Sequence, residues 1–183
     1  MRSINLAAKQ FSYKNGVFMK YVLCLGTNIG ERAENIEKAI NAINLLPYTD
    51  VLKRSAIYET EPVGYARQQN FYNCVLLVES RFEPHEMLGI CLGIEAGFGR
   101  KRGFANGPRI LDIDVILAEN QRIDTRNLTV PHPRARERRF VLAPMLDIFP
   151  SGTAFDFEFA SYLDNIDGQE IKKIDEPVEY YID

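Results

Sequence analysis

The short connection between two predicted strands, residues 51–58 and 71–80, restricts the possible folds more than any other feature. About a dozen residues separate them, and these include the turn-forming Glu61-Pro62-Val63-Gly64. A doubly wound parallel sheet would need a helix in this connection, whereas the residues here have the pattern of a loop. We therefore expect an antiparallel sheet here and disfavour the alternative, a doubly wound parallel sheet.

The remaining predicted elements surround this pair of strands. An apolar run at 21–25 and apolar residues spaced by three and four over 33–43 predict a strand, a turn and a helix. Pro84 is well placed to open a second helix, residues 110–118 form a fourth strand, and 140–148 begin a last helix. The order β-α-β-β-α-β with an additional C-terminal helix predicts an α+β, ferredoxin-like sandwich whose antiparallel sheet carries helices on one side.

Composition places the chain among globular proteins. Its 183 residues are 46% hydrophobic and 26% charged, enough to bury a core without disulfides or a structural metal. Three separated cysteines in apolar contexts predict buried, reduced thiols. Because the sequence lacks an apolar run of membrane-spanning length and an apolar signal core in residues 1–20, we expect a cytoplasmic protein with no membrane partner.

The pattern divides the chain into three parts. Residues 1–18 show no sustained period and are expected to be a leader that is mobile or reflects an upstream start assignment. Residues 19–150 form the patterned domain. Residues 151–183 carry nine acids against two lysines. Three roles stay open for this acidic extension: packing across the sheet edge, contacting another subunit, or remaining mobile.

Two aspartates lie within the fourth strand. Strand geometry places Asp112 and Asp114 on one face, about 6.5–7 Å apart, although aspartate is disfavoured in strands. Mg²⁺ binds one or two carboxylates and completes its shell with substrate oxygens. The pair therefore predicts either a magnesium site for a phosphate-bearing substrate or a half-exposed strand with solvated aspartates.

A basic loop leads directly into these aspartates. Residues 100–139 contain ten basic and five acidic side chains, and Arg100, Lys101, Arg102 and Arg109 precede the pair. Arginines bind phosphate oxygens well, so the combination favours metal-assisted phosphoryl or pyrophosphoryl transfer. The P-loop and protein-kinase signatures are absent from the sequence. The net charge of −3 gives no reason to expect a nucleic-acid partner.

Two further positions suggest ligand contacts. His132 stands between Pro131 and Pro133, which restrict the backbone, so its imidazole is placed either for a phosphate or nucleobase or in a plain surface turn. Phe71 and Asn73 share one face of a strand. Together they could bind a flat heterocycle, or they could be a core phenylalanine and an edge asparagine.

These segments together resemble the 6-hydroxymethyl-7,8-dihydropterin pyrophosphokinase family over about residues 20–150. The motifs that carry the resemblance are Leu25-Gly26-Thr27-Asn28, Tyr58-Glu59-Thr60-Glu61-Pro62-Val63-Gly64, Phe71-Tyr72-Asn73, Gly107-Pro108-Arg109-Ile110-Leu111-Asp112-Ile113-Asp114 and Val130-Pro131-His132-Pro133-Arg134. The resemblance implies that 19–150 is a pyrophosphokinase domain. It further implies transfer of pyrophosphate from ATP to the hydroxymethyl group of a reduced pterin, with release of AMP, in folate biosynthesis.

The resemblance also implies residue roles. Two Mg²⁺ ions fall to Asp112 and Asp114, and Arg100 and Arg102 match a mobile catalytic loop. The implied ATP-binding residues are Glu95, Arg100, Arg109, His132 and Arg138. The implied pterin-binding residues are Thr60, Pro62, Val63, Phe71, Asn73 and Phe140. The sequence departs from the family by having no tryptophan, so that Asn106 stands where many members carry one.

Two other functions fit parts of the pattern. The same element order serves RNA-binding modules, although the chain lacks their aromatic-rich strand signature. A metal-dependent phosphodiesterase could use the same aspartates. For the pyrophosphokinase we expect a monomer whose partners are ATP and the pterin.

Overall fold

An antiparallel sheet of six strands forms the centre of the computed structural model, which describes residues 17–100 and 106–174. The strands are β1 (Met19–Thr27), β2 (Thr49–Arg54), β3 (Ile57–Thr60), β4 (Phe71–Ser80), β5 (Asp112–Ala118) and β6 (Ile171–Ile174). They follow the order β6-β3-β4-β1-β5, and β2 also pairs with β4. Every pairing in this sheet is antiparallel, which excludes the doubly wound parallel alternative.

Helices lie on both faces of the sheet. They are α1 (Arg32–Asn44), α2 (Pro84–Gly97), α3 (Arg139–Ile148) and the single turn α4 (Ala160–Leu163). One apolar cluster joins α1 and α2 to one face, and a second cluster joins α3 to the other. The two helices of the β-α-β halves, α1 and α2, therefore share one side as predicted, and the additional helix α3, for which no side was predicted, covers the other. The buried run of β1 already pointed to this, because a strand buried on both faces is apolar at successive positions rather than at alternate ones.

The predicted strand 51–58 is interrupted at Ser55 and Ala56. The Ser55 hydroxyl accepts a hydrogen bond from the Val75 amide at 2.9 Å, and the Ser55 amide donates to the Val75 carbonyl at 2.9 Å. The Ala56 amide donates outside the sheet, to the Asp147 carboxylate at 2.9 Å. A buried side chain thus replaces a backbone acceptor, which divides one predicted strand into β2 and β3.

The acidic extension packs against the sheet where the structure describes it. Ala154, Phe157, Phe159 and Ile166 are buried in the same cluster as α3, and β6 pairs with β3 at the sheet edge. Gly152 makes the turn into this segment at a φ of 74°, where a Cβ would clash with the Cβ of Ala160. Residues 1–16 of the predicted leader and 175–183 of the extension lie outside the described residues.

The three cysteines are buried and unpaired, as predicted. Burial raises the pKa of Cys74 to about 11 and that of Cys91 to about 12, so both thiols stay protonated at neutral pH. Within residues 17–100 and 106–174, no helix combines the length and apolar character needed to cross a membrane.

Candidate active site

A cavity opens to solvent at one end of the sheet, where β1 and β3 end and β4 and β5 begin. The antiparallel register brings these ends together by pairing Gly26 with both Asn73 and Asp112. Gly26 keeps the floor open, because a Cβ there would approach Asn73 Oδ1 to 3.2 Å. The predicted site residues that line this cavity are Thr60, Val63, Phe71, Asn73, Arg109, Asp112, Asp114, Arg138 and Phe140.

The two aspartates face this cavity from β5, as the strand periodicity predicts. The intervening Ile113 and the following Val115 are buried in the cluster on the opposite face. Asp112 lies opposite Gly26 and Asp114 opposite Cys24 in β1. Alternation along the strand therefore separates an apolar side that anchors β5 from a carboxylate side that a ligand can reach.

Three arginines neutralise the aspartate pair. Asp112 accepts from the Arg100 guanidinium at 2.7 Å through Oδ1 and from Arg109 at 2.7 Å through Oδ2. Asp114 accepts from Arg138 at 2.6 Å. Adjacent carboxylates would otherwise repel each other, so these charge-assisted bonds allow both to stand on one strand face.

Glu95 reaches the site through Arg100. The Glu95 side chain is buried on α2, accepts from the Ile113 amide at 2.7 Å, and forms an ion pair with Arg100. Burial raises the pKa of Glu95, while the Ile113 amide and Arg100 oppose that shift. Burial alone would lower the pKa of Arg100, but Asp112 and Glu95 together raise it. Arg100 thus remains charged and links α2 to Asp112.

This linkage gives a stability prediction. Arg100→Ala leaves the Glu95 carboxylate buried without its cation, so the free energy of unfolding should fall by about 1–3 kcal/mol. Glu95→Gln added to that variant should restore much of the loss, because a neutral amide is less costly to bury. Urea unfolding at pH 7 measures both. Equal losses in the single and double variants would contradict the role assigned to Arg100.

His132 lines a second cavity, to which residues 125–129 also contribute. Its amide donates to the Ile116 carbonyl at 2.8 Å, and its Nδ1 accepts from the Arg134 amide at 3.2 Å, which fixes the ring. Burial, with Arg138 nearby, lowers the pKa of His132, so the imidazole is neutral at pH 7. Asp114 lines both cavities and therefore stands between them.

Most of the predicted pterin residues line the same cavity as the aspartates. Phe71 on β4 and Phe140 on α3 line the same cavity, and the buried Asn73 amide donates to Thr60 Oγ1 at 2.8 Å. Pro62 instead lines an adjoining cavity. The arrangement offers two rings and an oriented amide to a flat polar heterocycle.

Asn28 contributes a positioning function that the sequence analysis did not assign. The Asn28 side chain is buried, and its Oδ1 accepts a hydrogen bond from the Arg109 backbone amide at 2.8 Å. The Asn28 backbone amide donates to the Arg109 carbonyl at 3.0 Å. Its Nδ2 donates to Gln68 Oε1 at 2.9 Å and to the Gln69 carbonyl at 3.1 Å. Asn28 thereby fixes the backbone of Arg109 against the loop 61–70. The sequence did carry a signal for this function, because Asn28 is a polar residue directly after a buried strand and ends the family motif at 25–28.

Not every predicted residue can be placed. Arg102, assigned with Arg100 to the catalytic loop, lies outside the described residues. Arg134 and Asn106 also line the cavity, although neither was among the predicted site residues.

The donor set at the aspartates fits magnesium in part. Among the described residues, no group of three or more histidine, cysteine, aspartate or glutamate side chains could hold a metal ion. Asp112 and Asp114 nevertheless present hard carboxylate oxygens to the cavity at the end of the sheet. Mg²⁺ commonly takes one or two carboxylates and completes its coordination with substrate phosphates and water.

Comparisons with known proteins agree with the motif analysis. The family model for 7,8-dihydro-6-hydroxymethylpterin-pyrophosphokinase (HPPK) matches residues 22–150. The 2-amino-4-hydroxy-6-hydroxymethyldihydropteridine pyrophosphokinase of Bacillus subtilis (strain 168) is 40% identical over 126 residues, which cover 69% of this chain and 75% of the relative. The protein of the same name from Methylorubrum extorquens is 40% identical over 128 residues, covering 70% and 81%.

Solved structures support the fold. A crystal structure of HPPK-DHPS in complex with substrates aligns with a TM-score of 0.63 at 16% identity, covering 80% of this chain and 43% of that one. A Plasmodium falciparum HPPK-DHPS triple mutant with SDX-DHP aligns at 0.62 and 16% identity, covering 84% and 45%. This chain thus spans less than half of those solved chains, and at such identity the likeness concerns the fold. With the family model matched over residues 22–150 and relatives at 40% identity, the chain belongs to the 7,8-dihydro-6-hydroxymethylpterin-pyrophosphokinase family.

Proposed function

We propose that this protein transfers a pyrophosphoryl group from ATP to the hydroxymethyl group of 6-hydroxymethyl-7,8-dihydropterin, giving the pterin diphosphate and AMP in folate biosynthesis. The observation that carries the proposal is the position of Asp114 between two cavities, with Asp112 beside it. One cavity presents aromatic rings and an amide, and the other presents a neutral histidine. A site for two substrates needs such a division around its charged centre.

The pterin would lie between Phe71 and Phe140. Stacking on the rings supplies contact area, while polar groups at the rim distinguish this heterocycle from others. Support comes from the Asn73–Thr60 hydrogen bond, which fixes the orientation of the amide. Backbone groups near Thr60, Pro62 and Val63 would read the remaining polar edge.

The triphosphate would lie along the aspartates and arginines. Asp112 and Asp114 would hold two Mg²⁺ ions, which when bound neutralise phosphate charge and lower the pKa of the pterin hydroxyl. Arg100, Arg109 and Arg138 would then exchange their carboxylate partners for phosphate oxygens, with His132 near the nucleotide. Arg102 would join Arg100 on a loop that excludes water.

The reaction itself is a displacement at the β-phosphorus. The pterin hydroxymethyl oxygen loses its proton to solvent and bonds to the β-phosphorus. The bond between the β-phosphorus and the oxygen that bridges it to the α-phosphorus breaks, and AMP leaves with this bridging oxygen. The cationic side chains stabilise negative charge developing on the phosphate oxygens. Asn28 contributes by holding the backbone of Arg109.

Three wider features belong to the same proposal. The sheet order, with β4 and β5 on either side of β1, supports describing the fold as ferredoxin-like. Action as a monomer, as expected from the sequence, is the second of these features and stays a prediction. Free, buried thiols support a reducing compartment such as the cytoplasm.

Product identity tests the function. The protein, ATP, Mg²⁺ and the reduced hydroxymethylpterin should yield equal amounts of AMP and pterin diphosphate, and omission of the pterin should stop AMP formation. ADP or free phosphate as the product would contradict the proposal. Hydrolysis without a pterin would indicate a phosphodiesterase instead, whereas salt-sensitive binding of single-stranded RNA without ATP turnover would indicate a binding module.

A further inference from the structure

The acidic extension reaches the pterin side of the site at Gln169. The Gln169 Oε1 accepts from the Arg139 amide at 3.0 Å, and its Nε2 donates to the Glu137 carbonyl at 2.8 Å. One carboxamide therefore binds the backbone on both sides of Arg138. The Arg139 guanidinium also donates to the Ile166 carbonyl at 3.0 Å, which adds a second link between α3 and the extension.

The backbone held in this way carries two predicted substrate contacts. Arg138 is the N-cap residue of α3, and its side chain is directed to Asp114 at 2.6 Å rather than to the helix end. Phe140 lies in the first turn of α3 and lines the cavity that contains Asp112 and Asp114, called the main cavity below. The amides at a helix start need acceptors from outside the helix, and Gln169 supplies one to Arg139. Its loss would free the first turn of α3 to move.

The extension also lines the cavity that adjoins the main cavity. Pairing of β6 with β3 sets Ile171 opposite Thr60, which brings residues 168–170 next to the start of the loop 61–70. The adjoining cavity is lined by residues 168–170 and by Thr60, Val63 and Phe140. The last three residues also line the main cavity. The family match ends at residue 150, so residues 168–170 lie outside the matched region.

We infer that Gln169 is a positioning residue for the pterin side of the active site, holding residues 137–139 so that Phe140 and Arg138 face the cavity. The inference rests on the proposed function for its effect on catalysis. Gln169 acts through the α3 backbone and Phe140 rather than on the reacting atoms. Through Gln169, the acidic extension then helps to fix the geometry of the active site.

Steady-state kinetics of the full chain test this inference. Gln169→Ala should raise the KM for the pterin by about tenfold, the effect of about one to two lost hydrogen bonds, and should change the KM for ATP less. Gln169→Glu keeps an acceptor for the Arg139 amide but cannot donate to Glu137, so its KM should be intermediate. The matched control is Asn165→Ala, which removes a side-chain bond to the Ser161 carbonyl within the same extension.

A double variant separates positioning from general stability. In the Phe140→Ala background, Gln169→Ala should add little to the pterin KM, because its effect passes through Phe140. Full additivity, or an unchanged pterin KM in Gln169→Ala alongside an active wild-type enzyme, would overturn the inference and leave the proposed function standing.

Amide hydrogen exchange keeps the test independent of turnover. Exchange at residues 139–142 should be faster in Gln169→Ala by about tenfold, the factor that corresponds to about 1.4 kcal/mol of lost local stability, and unchanged in Asn165→Ala. If the wild-type protein forms no AMP, the proposed function fails while this measurement still judges the contact. Unchanged exchange in Gln169→Ala would show that the carboxamide does not hold α3.

Discussion

Replacing Asp112 or Asp114 with asparagine should lower kcat by about 10²–10³-fold, the size of effect seen when one preorganised electrostatic partner is lost. Asparagine keeps the shape of the side chain but removes the charge that would hold Mg²⁺ and balance three arginines. AMP formation over a range of Mg²⁺ concentrations measures both effects. The concentration of Mg²⁺ giving half-maximal rate should rise in both variants.

Asp156→Asn is the matched control for this prediction. Asp156 is an exposed aspartate paired with Arg122 at 2.6 Å, so the change removes a similar ion pair in the acidic extension. Exposed pairs contribute little to stability, and turnover should stay at the wild-type level. Near-normal kcat in both the Asp112 and Asp114 variants would remove the basis for the metal assignment.

Phe159→Ala should lower the free energy of unfolding by about 3–5 kcal/mol, the typical cost of deleting a fully buried aromatic ring. Phe159 lies in the extension with none of its surface exposed, packed in the cluster that contains Val141, Leu142 and Met145 of α3. The protein should remain folded at 25 °C because a domain of ordinary stability exceeds this loss. Urea unfolding followed by circular dichroism provides the measurement.

Leu163→Ala is the comparison for that variant. Leu163 belongs to the same segment but is only partly buried, so its truncation should cost clearly less. If Phe159→Ala costs no more than Leu163→Ala, the extension does not contribute to the core as the structure describes. If Phe159→Ala lowers stability but keeps activity, the contribution of the extension to core packing is distinct from the positioning function of Gln169.

The interrupted second strand shows where local pattern is insufficient. The whole of 51–58 has a strand pattern, and the 71–80 strand was predicted with its observed bounds. The break arises because the Ser55 hydroxyl meets the Val75 amide, and Ser55 meets Val75 only after two segments twenty residues apart have paired. Propensity in a single segment carries no information about such a contact.

In the active site, too, local pattern predicts some features and contacts between distant segments determine the others. Residue periodicity was enough to place Asp112 and Asp114 on one face, since a strand alternates its side chains whatever surrounds it. The motifs were also enough to name the family. Which cation meets which carboxylate was beyond that reasoning, because Arg138 is 24 residues from Asp114 and joins it only through the packing of α3.

From its sequence alone, this protein's antiparallel strand connection, its paired carboxylates and its family could be determined, because each depends on neighbours along the chain. Only the tertiary structure decided that Asn28 holds Arg109 and that Gln169 reaches α3. Those contacts join segments far apart in the chain. Packing of the whole core determines whether such segments meet, and no short stretch of sequence encodes it.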